Sequence, residues 1–173
     1  MATRFKDLSD KLLDLTFSRV GNVVLKAVSV STLFSELQKS TVPMLMSRSL
    51  NLILLTDTPQ VVGDETLLLS MLQNLVENAA RASHPGASIT VRAYMDTCPI
   101  IEVSDTGCGM EQHEVEKITS PFYRVDKSRS REYGGVGLGL SIVLQIAAVH
   151  KAEVKITTEV GVGTIVRILF TTP

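Results

Sequence analysis

Apolar residues recur along the chain with two periods, and the switches between them mark out the elements. Residues 2–19 carry Phe5, Leu8, Leu12 and Leu15 on a 3-4-3 spacing, the stripe of a coiled-coil seam. Fewer than three heptads cannot hold such a seam alone. Two readings stay open, a helix folded back on the core and the cut end of a longer helix. Gly21 and Asn22 end the segment. A short strand is predicted over 23–28, a helix capped by Ser31 and running to about 47, a strand over 51–56, and a turn at Thr58 and Pro59. Asp64 opens a long helix to about 83, with Leu67, Met71, Leu72, Leu75, Val76 and Ala79 on its inner side. His84, Pro85 and Gly86 stop it. Residues 88–96 and 100–103 form a hairpin, with Ile89, Val91 and Ala93 alternating in its first arm. A short helix over 111–119, a polar, glycine-rich segment over 120–135, a helix over 138–150 and strands over 153–158 and 164–170 follow. Strands and helices alternate and then two strands run consecutively, so the pattern predicts α/β layers with a mixed sheet.

Composition narrows the class. A chain of 173 residues, 45% apolar and with a formal net charge of −1, suits one compact domain and excludes a disordered tail. The even charge balance argues against a nucleic-acid binder. Cys98 and Cys108 are too few for a stapled secreted fold and fit a reducing compartment. The longest nearly uncharged apolar stretch, 134–149, is glycine-rich and falls short of the ~20 residues of a membrane span. The N-terminus has no apolar signal core.

Four clusters carry candidate chemistry. Asn74 and Asn78 lie four residues apart on one helix face, with Glu77 and Arg81 similarly spaced on a neighbouring face as a surface ion pair. Asn is a mediocre helix former. The pair reads either as satisfied surface amides or as amide oxygens for a hard cation and donors for phosphate. Next, Asp105, Gly107 and Gly109 follow an apolar strand. They place one carboxylate at the mouth of the sheet, where a flat ligand could approach backbone and donate an exocyclic amine. Cys108 between the glycines reads as a packing residue, with no His nearby in sequence to activate it. Third, the segment from Ser120 to Gly135 holds Arg124, Lys127, Arg129 and Arg131 against Asp126 and Glu132. It is either a solvated loop or a lid over an anion. Last, Gly135, Gly137 and Gly139 open a helix, whose free N–H groups suit a phosphate. No strand precedes them, so this is not the dinucleotide fingerprint, and no Gly-Lys-Ser/Thr follows, so it is not a P-loop.

In this order, Asn-x-x-x-Asn, Asp-x-Gly-x-Gly, Phe-Tyr-Arg and Gly-x-Gly-x-Gly resemble the N, G1, F and G2 boxes of sensor histidine kinases, within the GHKL superfamily. The resemblance covers roughly 23–170, and PFYRVDKSRSREYGGVGLGLSIV is its most specific run. Gly161, Gly163 and Thr164 fit the family's closing glycine turn. The resemblance implies a two-layer α/β sandwich of Bergerat type, a mixed sheet packed on three main helices, with ATP and Mg²⁺ as cofactors. Residues 1–20 would be the C-terminal remnant of a dimerisation helix and 21–173 the catalytic ATP-binding domain, with its lid at about 120–136.

Carried over by position, Asn78 would hold Mg²⁺, and Asn74 would contact phosphates or order the metal's waters. Arg81 and Arg124 would reach the phosphates. Asp105 would read the adenine amine, Gly107 and Gly109 would shape that pocket, and Thr164 would support the carboxylate through water. Phe122, Tyr123 and Arg124 would begin the lid. Gly135, Gly137 and Gly139 would close over the phosphates, with Leu138 and Leu140 packing the hinge. Where Asn74 stands, the ATP-hydrolysing relatives have a Glu that activates water. Asn cannot be that base, so the resemblance favours phosphotransfer.

His84 and His150 read as structural, and His113 lies in the wrong place for the family's acceptor. The acceptor His is therefore expected upstream, outside this chain, and the isolated chain is expected not to autophosphorylate. Implied partners are the chain's own dimerisation domain and a response-regulator Asp, in a homodimer. The expected place of this domain is the cytoplasm, with a membrane anchor left open for the full protein. Lys151 and Ala152 replace usual glycines, and Ala82 replaces a common aromatic. Anti-sigma-factor kinases, which phosphorylate Ser, lack the Phe-Tyr-Arg box; an inactive scaffold would not need all four boxes filled.

Overall fold

The computed structural model describes residues 23–118 and 139–171. In chain order the elements are β1 (Lys26–Ser29), α1 (Val30–Ser47), β2 (Asn51–Thr56), β3 (Gln60–Gly63), α2 (Glu65–Ala82), β4 (Ser88–Met95), β5 (Pro99–Asp105), α3 (Gln112–Ile118), α4 (Gly139–Val149), β6 (Glu153–Glu159) and β7 (Gly163–Leu169). Five strands form one sheet in the order β2-β4-β5-β7-β6, parallel only between β2 and β4. β1 and β3 make a separate antiparallel pair. The expected mixed sheet and α/β layers are present. β3 was not expected, and β1 starts at Lys26 rather than 23.

The sheet is covered on one face. Its register lines up Val91, Val103 and Val166 in one cross-strand row and Ala93, Ile101 and Ile168 in the next. α2 lies over this surface with α1 and α4 beside it. A helix flanked on both sides buries a wide arc, so Leu68 and Ala80 join the six inner positions read from the sequence. The opposite face meets water and carries the charges. Arg167 Nε sits 2.7 Å from Glu102, and Arg92 sits 2.8 Å from Asp57 with its guanidinium over the Tyr94 ring. Among the described residues no helix is long and apolar enough to cross a membrane.

α1 begins at Val30 with Ser29 as its cap. The Ser29 hydroxyl accepts from the Thr32 N–H and Thr32 hydroxyl at 3.4 and 3.2 Å, whereas Ser31 is already inside the helix. Ser29→Ala should therefore cost about 0.5–1 kcal/mol and Ser31→Ala almost nothing. Urea unfolding of the two variants checks this, and equal losses would contradict the assignment.

Candidate functional site

The row beyond Val91, Val103 and Val166 turns polar. It runs Ile89, Asp105, Thr164 and Thr158 across β4, β5, β7 and β6. Asp105 is thus the last inward residue of β5, half-buried on the helix-covered face. Burial pushes its carboxyl above the usual aspartate range, and the backbone N–H groups of Gly107 and Thr164 pull it back down. The Gly107 N–H donates to Oδ1 at 2.8 Å. The Thr164 hydroxyl pairs with the Thr158 hydroxyl at 3.1 Å, so its main chain rather than its side chain meets Asp105 directly.

The loop after β5 is held from two sides. The Cys108 N–H donates to the Ala82 carbonyl at 3.0 Å, capping the end of α2. The Cys108 carbonyl accepts from the Gly161 N–H at 2.8 Å, and the Met110 N–H donates to the Thr158 hydroxyl at 3.0 Å. Gly109 adopts φ +58°, and a Cβ there would lie 1.9 Å from the Glu159 carbonyl oxygen. Cys98 and Cys108 are both free, the first buried and the second half-buried, as a packing role expects.

α2 brings the amides to this loop. Asn78 lies one helical turn, about 6 Å, before Ala82, the residue that receives Cys108. Asn74 Nδ2 donates to the Ser70 carbonyl at 2.8 Å, which uses one of its two N–H groups and leaves the other N–H and Oδ1 available. Gly139, the first residue of α4, is packed against both: a Cβ there would meet Asn74 Oδ1 and Asn78 Oδ1, each at 3.2 Å. Arg81 pairs with Glu77 at 3.2 Å on the outer side, as the spacing predicts. Leu140 packs partly buried against the core.

The structure therefore brings Asn74, Asn78 and Gly139 together, and Asp105, Gly107, Gly109 and Thr164 together, one helical turn apart. Phe122, Tyr123, Arg124, Gly135, Gly137 and Leu138, with residues 1–20 and the lid, lie outside the described residues. Sequence reasoning missed Thr158, which bonds Met110, Gly163 and Thr164. Only the strand register marks it. His113 stands exposed between Glu111 and Glu114, at 3.2 and 2.9 Å.

The amide oxygens suit a hard cation that brings most of its own ligands. Among the described residues no cluster of three or more His, Cys, Asp or Glu side chains could hold a metal by itself. An adenine amine fits a carboxylate acceptor, and phosphates fit the start of α4.

The family described as "Histidine kinase-, DNA gyrase B-, and HSP90-like ATPase" matches residues 63–173. The chain is 39% identical over 112 residues to the sensor-like histidine kinase SenX3 of Mycolicibacterium smegmatis, covering 62% of this chain and 29% of that protein. It is 41% identical over 112 residues to the sensor protein BasS of Salmonella typhimurium, covering 64% and 30%. The chain thus spans less than a third of the length of these curated relatives. Among solved structures, a mycobacterial sensor histidine kinase, MprB, aligns with TM-score 0.71 and 25% identity, over 85% of this chain and 97% of that one.

Proposed function

Because the chain belongs to the histidine kinase-, DNA gyrase B- and HSP90-like ATPase family, we propose that it is the ATP-binding catalytic domain of a two-component sensor histidine kinase. It would hold Mg·ATP between α2 and the lid at about 120–136 and donate the γ-phosphoryl group to a His of a dimerisation domain beyond this chain. That phosphoryl group then passes to an Asp of a response regulator. The observation that carries this reading is the pairing of one buried-edge carboxylate, Asp105, with two amide oxygens a helical turn away on α2.

Each residue has a role that its surroundings support. Asp105 accepts the adenine amine, held in place by the Gly107 N–H at 2.8 Å. Asn78 holds Mg²⁺ through Oδ1. Asn74 would offer Oδ1 to the metal's waters or its second amide N–H to a phosphate, the first N–H being bonded to Ser70. Mg²⁺ arriving with the nucleotide supplies neutralising charge on the phosphates. The N–H groups at the start of α4 face the same phosphates, and Arg81 can swing from Glu77 toward them. By the family resemblance, Phe122, Tyr123 and Arg124 would begin the lid, and Gly135 and Gly137 would close over the phosphates beside Leu138. Phosphoryl transfer needs positioning and charge more than covalent help. Among the described residues of α2 neither candidate is a ready base for water: Asn74 is an amide, and the exposed Glu77 is paired with Arg81.

The test is calorimetric titration of a non-hydrolysable ATP analogue, with and without Mg²⁺, on the wild type and Asn78→Ala. Wild type should bind more tightly with Mg²⁺, and Asn78→Ala should lose about tenfold in that arm only. Absence of saturable binding by the wild type would sink the proposal. Supplying a separate His-bearing dimerisation domain with labelled ATP then tests the transfer itself.

A further inference from the structure

His150 is buried at the foot of α4, and the candidate site does not use it. Both ring nitrogens have main-chain partners. The Asp64 N–H donates to Nε2 at 2.9 Å, and Nδ1 lies 2.7 Å from the Ile146 carbonyl. A nitrogen that accepts from an N–H carries no proton, and one that faces a carbonyl must carry one. The ring is therefore the neutral Nδ1–H tautomer. Its edge meets Phe170 at 6.5 Å, with the planes at 89°. The Asp64 carboxylate does not compete for the ring, since it caps α2 by accepting from the Thr66 and Leu67 N–H groups at 3.1 Å.

The same two helices meet again at the other end of α4. Gly139 rests on Asn74 and Asn78, while His150 rests on Asp64, so α4 runs antiparallel to α2 and is fixed to it at both ends. Between the ends lie apolar contacts, which are non-directional and set separation better than axial position. A slip of one residue along a helix is about 1.5 Å, enough to carry Gly139 off amides so close that a Cβ there would lie 3.2 Å from both Oδ1 atoms. Gly63 adds an independent sign that the fit at His150 is tight. A Cβ there would lie 2.6 Å from Leu68 Cδ1 and 2.9 Å from His150 Nε2.

We infer that His150 is a positioning residue for the phosphate end of the nucleotide site, setting the axial register of α4 on α2 through the Asp64 N–H. The inference rests on the nucleotide-binding reading above. Its signature is selectivity. Asp105 sits on the sheet, so recognition of the base is independent of this register, whereas recognition of metal and phosphates is not.

The experiment compares wild type, His150→Leu, His150→Gln and Gly63→Ala in the 173-residue chain. Two titrations are made: a non-hydrolysable ATP analogue with Mg²⁺ by calorimetry, and adenosine by NMR shifts. His150→Leu should lose about tenfold for the analogue while adenosine affinity holds within about twofold. His150→Gln keeps an acceptor for the Asp64 N–H and should recover most of the loss. Gly63→Ala, whose Cβ would lie 2.9 Å from His150 Nε2 and crowd that edge of the ring, should reproduce the selective loss. Nitrogen-15 spectra of the wild-type imidazole should show Nδ1 protonated and Nε2 bare, a readout that survives if His150→Leu does not fold. A proton on Nε2, an unchanged analogue affinity in His150→Leu, or losses of equal proportion for both ligands would overturn the inference. If the wild type binds neither ligand, the nucleotide reading fails and the inference falls with it. Binding of both by wild type and variants alike removes the inference alone.

Discussion

Asp105→Asn is expected to weaken adenine-nucleotide binding by about a hundredfold while leaving the fold as stable as before, or more so. The binding loss follows from the acceptor. A carboxylate on the polar end of the covered sheet face can take the adenine amine while its Oδ1 holds the Gly107 N–H. In Asn the single oxygen stays with Gly107, and the amide NH₂ then faces the amine, donor against donor. Losing a hydrogen bond to a charged group costs about 1.5–3 kcal/mol, which brackets that factor.

The stability gain follows from burial. The native state holds the Asp105 proton more tightly than the unfolded chain, because desolvation raises its carboxyl above the ordinary value of about 3.9. Stability from this group is therefore greatest at acid pH. It is lost as the pH rises from the unfolded value through the native one, and the whole penalty is present once the pH stands above both. Asn has no charge to desolvate and keeps the bond to Gly107. Thermal unfolding at pH 7 beside calorimetric titration checks both halves. A variant that binds normally, or one that melts well below wild type, contradicts this account.

Gly163→Ala should produce the largest stability loss, about 3–5 kcal/mol. Two costs coincide there. The backbone sits at φ +136°, a region that residues with a Cβ rarely enter, worth about 1–3 kcal/mol. The new methyl would also lie 2.0 Å from the Asp105 carbonyl oxygen and 3.0 Å from Thr106 Cα, so β5 and β7 must separate. Gly161→Ala is the control. It shares a positive φ, +78°, but has nothing within 4 Å of the added atom, so strain alone acts, at about 1 kcal/mol. Denaturant unfolding of both variants separates the terms, and equal losses would show that the contact with Asp105 is not what matters.

Much of this architecture was legible in the chain, for reasons that differ by element. α2 was read within a residue at each end because Asp64 caps it and because its apolar stripe runs unbroken. The β4–β5 hairpin followed from alternation. β3 was hidden because four residues between Pro59 and Asp64 offer no period, and its partner among the described residues is the distant β1. The cap of α1 was misplaced by two residues because Ser29 and Ser31 are both good capping side chains, and which one ends the strand depends on pairing with Gln60. Strand order was invisible, since local pattern does not say that β7 inserts between β5 and β6. At the site, Asn74, Asn78 and Asp105 could be nominated from spacing and residue type. The zip from Thr158 to Met110, and the bond from Asp64 to His150 across 86 positions, arise only when distant segments meet.

The pairing of Asp105 with Thr164 has one more implication. The span 106–163, which carries β6, begins and ends beside one cross-strand pair, Asp105 on β5 and Thr164 on β7. In polymer terms that whole span is a loop whose ends are already tied, and doubling such a loop adds only about 0.6 kcal/mol of closure entropy. Lengthening the chain between 118 and 139 should thus cost the acid-bearing strands little. If the proposed function holds, the ends of these two inner strands are a fixed socket for the base, and chain length elsewhere in the span is free to vary without resetting it.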